Sequence, residues 1–324
     1  MRLARAGCFL IEYRAMKTII ATVGAVMTAV TLGAQGADEK SVETEEEETP
    51  IFEAGFDFDW FSAYVWRNAV QNDDMVMQPC VWADLTCFEP FWLGFSIWEN
   101  YDLTDRNRST YRYGVTETDY NVHLGATAWE SEDEDFGLDL EIGHDWYTYH
   151  GVHDKESCPD TAEIYVKATF ANPFVDVYGQ ASWMYRDFGA YGQAMHYELG
   201  FNKEIELTDT LTLGADWNFN FGDPRYLGFL YGDCEFRNFD DEDEPEDCSH
   251  PDGGIAGTTF KLYLNWAIAD WVSLKGTVAY TGVLNGSARQ GLGDDYNSDW
   301  WGDGTDDRYE RDLFWGGLSL NFAF

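Results

Sequence analysis

From Leu211 to Phe221 every second residue is apolar: Leu211, Leu213, Ala215, Trp217, Phe219 and Phe221 are separated by Thr212, Gly214, Asp216, Asn218 and Asn220. The rhythm repeats between Thr259 and Ile268, where Phe260, Leu262, Leu264, Trp266 and Ile268 alternate with Thr259, Lys261, Tyr263, Asn265 and Ala267. A period of two puts neighbouring side chains on opposite faces of a strand, and a helix loses that phase within a turn. Shorter runs keep it over 138–143, 163–170, 175–185 and 272–280. Counting outward predicts strands at 52–67, 75–86, 91–101, 117–130, 136–149, 161–171, 174–186, 193–206, 210–222, 256–269, 271–284 and 312–324, about twelve in all.

The connections between these strands follow a second pattern. Short turns at 87–90, 131–135, 172–173, 207–209 and 270 take strict turns with longer segments at 68–74, 102–116, 150–160, 187–192, 223–255 and 285–311. Ten-residue alternating strands joined by short and long links in turn are the signature of a membrane β-barrel. The expected fold is therefore all-β: a transmembrane, antiparallel, up-and-down barrel with both chain ends on the short-turn side. Two places fit it badly. The phase shifts between Trp60 and Phe61, which predicts a bulge, and Pro79 falls inside the second strand, where it forfeits a ladder hydrogen bond.

Ahead of the strands, residues 16–36 read as a signal peptide. Lys17 supplies the basic start, 19–32 the apolar core and Ala34-Gln35-Gly36 the small-residue cleavage site. That core is shorter than the ~20 residues a spanning helix needs. The expected organisation is a signal peptide over 1–36, with Met16 as an alternative start, an acidic leader over 37–50 that includes Glu45 to Glu48, and the barrel over 51–324. Cleavage removes Arg2, Arg5, Arg14 and Lys17 but only one acid, Glu12, so the exported chain is even more acidic than the whole.

Charge narrows the partners. With 59 acidic side chains against 20 basic ones and a net charge of −39, the chain lacks the basic face that nucleic acid requires. Beyond the signal it carries Cys80, Cys87, Cys158, Cys234 and Cys248. Export permits disulfides, and Cys234–Cys248, which bracket an acidic stretch, form the expected bridge.

If the phase is right, the lumen receives Asp57, Asp139, Glu141, Asp145, Glu163, Asp176, Glu198 and Asp216, opposed by Lys167, Arg186, Lys261 and Lys275. An acid-weighted, water-lined interior favours cations because low-dielectric walls focus the field. The competing expectation is that these charges pair across the barrel and plug it. The final strand sets Phe314, Leu318, Leu320, Phe322 and Phe324 on one face, and an alternating strand that ends on Phe resembles the signal read by the outer-membrane barrel assembly machinery. On that resemblance Phe322 and Phe324 carry the assembly signal.

Ser62 to Asp73 (Ser-Ala-Tyr-Val-Trp-Arg-Asn-Ala-Val-Gln-Asn-Asp), followed by Phe91 to Trp98 (Phe-Trp-Leu-Gly-Phe-Ser-Ile-Trp), resembles the TorF-type porin family. Its members have a Ser-Asp-Tyr-x-x-Arg-Gly first strand and a later Gly-x-Trp strand. Asn68 stands here where that family has Gly, and Ala63 where it has Asp. The likeness spans the first third of the mature chain plus the last strand, and it implies a channel-like barrel in the bacterial outer membrane. Arg67 is expected at the mouth of the first strand, anchoring an outer loop through carboxylates.

Catalysis finds little purchase. Nucleophilic hydrolysis needs a hydroxyl beside a histidine oriented by a third group, and no Gly-x-Ser-x-Gly turn occurs among the segments carrying His123, His144, His150, His153, His196 and His250. His144-Asp145, with Asp57 or Asp59 across the lumen, is the one arrangement that would activate water, but adjacent residues point to opposite faces and send His144 toward lipid. His150 and His153 suit a loop more than a transition-metal site. The acidic runs 240–244 and 303–307 suit loose divalent-cation association or bridging to lipopolysaccharide, without calcium-loop spacing. The expectation is a non-enzymatic porin-like channel, without cofactor or resident metal, that passes small hydrophilic solutes and favours cations. The alternatives are a non-conducting structural or adhesive barrel and a barrel hydrolase.

Overall fold

The structure, a computed structural model, describes residues 52–103, 114–132, 135–150, 160–186, 193–231, 253–285 and 312–324. The expected signal peptide and acidic leader, Cys158, the expected Cys234–Cys248 bridge, His153, His250 and both acidic runs fall outside them. Twelve strands close into one ring: β1 (Phe52–Phe61), β4 (Val76–Phe88), β5 (Phe91–Asp102), β6 (Gly114–Glu130), β7 (Gly137–Tyr149), β8 (Thr161–Ala171), β9 (Asp176–Arg186), β10 (Ala194–Thr208), β11 (Leu211–Gly222), β12 (Gly254–Ala269), β13 (Val272–Val283) and β14 (Asp312–Ala323). Each pairs antiparallel with its sequence neighbours in the ring, and β1 pairs with β14 to shut it, leaving no sheet edge exposed. Two further strands, β2 (Tyr64–Trp66) and β3 (Ala69–Asn72), form a separate hairpin.

Short turns and long links alternate around the ring as predicted. Bulges stand at strand ends: at Thr86/Phe88, Thr127/Trp129, Glu206/Thr208 and Ala267/Ala269 beside the short turns, and at Asn100/Tyr101, Ala162/Glu163 and Asn220/Phe221 beside the long links, places where the ladder can end without unpairing the wall. On the β5 side the ladder is interrupted without a change of register: Met77 pairs with Tyr101 and Cys80 with Trp98, and neither Gln78 nor Pro79 between them is paired.

The two faces of the wall are inverted relative to a water-soluble sheet. Along β12, Phe260, Leu262, Leu264, Trp266 and Ile268 are exposed, while Lys261, Tyr263 and Asn265 between them are half-buried. Similar apolar residues stand out on other strands, among them Val122, Leu140, Val166, Leu199 and Leu213. A contiguous apolar belt of this kind is stable where hydrocarbon, not water, is the solvent.

The first strand departs from expectation. β1 ends at Phe61 instead of running to residue 67, and the phase shift there marks an exit from the wall rather than a bulge. The next segment turns back on itself at Arg67 and Asn68, with φ of 48° and 67°. Left-handed backbone at both central residues is what a two-residue hairpin needs. Asn tolerates it.

A helix, α1 (Pro224–Tyr231), follows β11. Asp223 starts it: its side chain accepts from the Tyr226 amide (2.8 Å) and from Met195 N (3.0 Å), while Pro224 fills the first helical position, where no amide is needed.

Candidate functional site

Lumen and outer face can be told apart by what the β2–β3 hairpin touches. Tyr64 Oη donates to Glu117 on β6 (3.0 Å), Arg67 pairs with Glu163 on β8, and Thr259 on β12 donates to Asn68. β6 and β12 stand six places apart in the twelve-membered ring, so the hairpin crosses the full diameter, which is possible only through the inside. Glu117, Glu163 and Thr259 therefore mark the lumen face, and the cross-strand register carries that face around every strand.

Read this way, Asp57, Asp139, Glu141, Asp145, Glu163, Lys167, Asp176, Glu198, Asp216, Lys261 and Lys275 all stand on the lumen side. Arg186 ends β9 beyond a register shift, and its side chain lies outside the described residues. Two acid–base neighbours face each other directly, Glu141 with Lys167 and Asp216 with Lys261, while Lys275 and Asp59 flank Ser319 from either side. The acids are further tied to neutral donors. Asn121 Nδ2 donates to Asp145 (2.6 Å), Thr127 Oγ1 to Asp139 (2.8 Å), Tyr165 Oη to Glu141 (2.8 Å) and Tyr178 Oη to Glu198 (2.7 Å). Tyr165 and Tyr178 lie flat on the wall because Gly143 and Gly200 leave the room; a Cβ at either glycine would run into the tyrosine ring.

Toward the long-link end the lumen is filled. Ala69 of the hairpin, Tyr226 and Leu227 of α1, and Tyr147, Met184, Ala194, Ala256 and Val283 from five wall strands form one buried cluster, with Trp66 packed against it. The Trp66 ring meets Tyr147 edge-on at 5.8 Å and Tyr226 at 6.4 Å, and the Arg67 guanidinium sits 4.6 Å above Trp66. Burial alone would favour a neutral Arg67, but the Glu163 carboxylate outweighs it and holds the Arg67 pKa well above the ordinary arginine value. Arg67 is thus an anchor through a carboxylate, but inside the barrel and not at its mouth. The contact joins one nitrogen to one oxygen: Arg67 Nη1 and Glu163 Oε2 take no part in it, and the Tyr226 hydroxyl stands beside Arg67 and the Asp145 carboxyl beside Glu163.

At the opposite rim, Phe322 faces outward beside Phe56 and Trp271, and Phe324 stacks on Trp271 at 6.3 Å. Phe324 and Ala54 exchange two backbone hydrogen bonds, 2.8 and 3.1 Å, across the seam where the ring closes.

The histidines are dispersed. His144 points outward to Tyr185 (2.8 Å), on the opposite face from Asp145, Asp57 and Asp59. His123 lies in the lumen between Asn121 (2.8 Å) and Asp84 (3.7 Å), His150 meets Thr118 (2.8 Å), and His196 bonds Asn220. Among the described residues no histidine bonds a serine, and no group of three or more His, Cys, Asp or Glu is arranged to hold a metal ion.

Fold and site define a closed, twelve-stranded antiparallel barrel with an apolar outside, a polar acid-rich inside and an internal plug. The chain matches no protein-family model and no curated protein sequence. Solved structures similar to it include an outer-membrane channel from Pseudomonas putida F1, 9% identical over 88% of this chain and 100% of that one, with a TM-score of 0.47. The NanC porin is 8% identical over 82% and 98% of the two chains (TM-score 0.44), and the outer-membrane phospholipase A of Escherichia coli 12% over 87% and 94% (TM-score 0.41). Channels and an enzyme stand side by side in this set, so function is argued from this chain's own residues.

Proposed function

We infer that the protein is a porin-like barrel of a bacterial outer membrane through which small hydrophilic solutes diffuse passively, cations ahead of anions. The observation that carries this reading is the sign of the lumen wall. Acids outnumber bases along it: the eight predicted ones are joined by Asp59, Asp84 and Glu117, against Lys167, Lys261 and Lys275, each reached by alternation from a strand whose other face is apolar. Fixed carboxylates in a narrow polar passage attract counter-charges without any chemistry. Membrane lipid and lipopolysaccharide against the belt, assembly machinery acting on Phe322 and Phe324, and loose divalent cations at the acidic outer segments complete the reading, which is in keeping with the resemblance to TorF-type porins. A second reading, a non-conducting structural barrel, draws on the hairpin that spans the lumen.

Reconstitution into planar bilayers separates the two. Discrete conductance steps with a reversal potential on the cation side support the channel, and silence under every voltage and salt condition supports the closed barrel. Replacing Asp139, Glu141 and Asp216 together by Asn, Gln and Asn should move the reversal potential toward zero. An unchanged potential would refute the part given to these acids.

A further inference from the structure

The contact that pins the hairpin has the form of a bound ligand. We propose that the Glu163 carboxylate is a recognition site for a guanidinium or primary ammonium group, filled by Arg67 in the closed barrel, and that a cationic solute entering the lumen displaces Arg67 there and frees the β2–β3 hairpin. The proposal rests on the channel reading above.

Glu163 is 0% exposed, and a carboxylate removed from water must be met by a cation or by several donors. Arg67 meets only one of its oxygens, although guanidinium and carboxylate can form two parallel bonds. The tether restricts it, since the Arg67 backbone is held in the left-handed region at a hairpin tip, which limits the directions from which the side chain can present its fork. A free guanidinium has no such restraint. The surroundings suit a cation: Asp145 lies directly across from Glu163, and along the same face of β7 Glu141 and Asp139 outnumber the one facing base, Lys167, on the approach from the short-turn end. Tyr147 is buried close by, next to the Trp66 ring that carries the Arg67 cation. Without Arg67, the hairpin loses its charge contact to the wall and rests on neutral ones, among them the hydrogen bonds to β6 and β12, the Tyr64 ring against Trp98 and the packing on the aromatic cluster.

The test uses the full-length barrel in detergent, with methylguanidinium as the probe. A tethered competitor lowers the apparent affinity of a soluble one by the fraction of sites it fills. Calorimetry should therefore show Arg67→Ala binding methylguanidinium at least about tenfold more tightly than the unaltered protein. In the unaltered protein, methylguanidinium should speed amide hydrogen exchange over residues 62–75, and potassium chloride at equal ionic strength should not. Glu163→Gln should abolish both effects. If that variant fails to assemble, the comparison of Arg67→Ala with the unaltered protein decides alone. Equal affinities in those two, or equal loosening by potassium chloride, would overturn the recognition site. Neither readout needs conduction, so a bilayer silent for both proteins rejects the channel reading, whereas conducting barrels indifferent to methylguanidinium reject the displacement.

Discussion

The two ends of the lumen are built on different rules. At the short-turn end the wall is a continuation of the alternating strands, and its acids, lysines and tyrosines are partnered to neighbours on adjacent strands. At the long-link end the same wall becomes the shell of a packed interior, closed over a hairpin and a helix that belong to no strand of the ring. The first end is secured by backbone pairing and can be varied side chain by side chain. The second depends on a few buried contacts, of which the Arg67–Glu163 pair is the only one between opposite charges among the described residues. Plug and wall should therefore fail separately.

The largest expected effect is on the plug. Arg67→Met keeps much of the side chain's bulk but leaves Glu163 buried without a cation, a change that costs about 3–5 kcal/mol when one partner of a buried pair is removed. Hydrogen exchange should rise over 62–75 and 224–231 and stay slow in the ring strands; equal loss of protection in both would erase the distinction. A somewhat smaller effect should fall on the wall alone. Leu262 lies at the middle of β12 on the apolar belt, and Leu262→Arg should lower the stability of the vesicle-inserted barrel by about 2–4 kcal/mol in denaturant titrations. Protection of the hairpin in the folded fraction should not change.

This division also explains what could be read from the chain. The ring strands were legible where they carry their own signal: Leu211 to Phe221 alternates along β11, and Leu318 to Phe322 does so in the seam strand. Lumen assignments follow, since a face fixed at one position fixes the rest by parity. The plug was not legible, because it is written in a segment too short to show a period. Its one trace was the phase shift at Trp60–Phe61. The turn at Arg67-Asn68 lacks the Asn-Gly or Asp-Gly pair that marks a two-residue hairpin, and a buried arginine looks in sequence like an exposed one. The partners that hold it, Glu163 and Thr259, lie 96 and 191 residues from theirs, beyond any local pattern.

Within the wall, the joints between glycine and tyrosine offer a finer probe. Gly143→Val would force the Tyr165 ring off the wall and away from both Glu141 and Asn121, and overpacking of this size costs about 1–3 kcal/mol. Lower barrel stability with an unchanged hairpin would confirm that this tyrosine serves the wall. Hairpin loosening would show that the two ends are coupled through β7 and β8.

The smallest expected effect sits where plug meets wall on the side away from Arg67. Thr259 donates to Asn68 and shares a second hydrogen bond with Thr281 (2.8 Å), all within the buried interior. Thr259→Val preserves the shape and removes the hydroxyl, which should cost about 0.5–1.5 kcal/mol. Because β12 itself remains paired on both sides, that loss should be seen as faster exchange at 64–72 without a shift in barrel unfolding. A double-mutant cycle with Arg67→Met then asks whether the hairpin is held as one body. Additive losses would mean that its two ends detach independently, and a second loss much smaller than the first would mean that breaking the charge contact already releases the whole span.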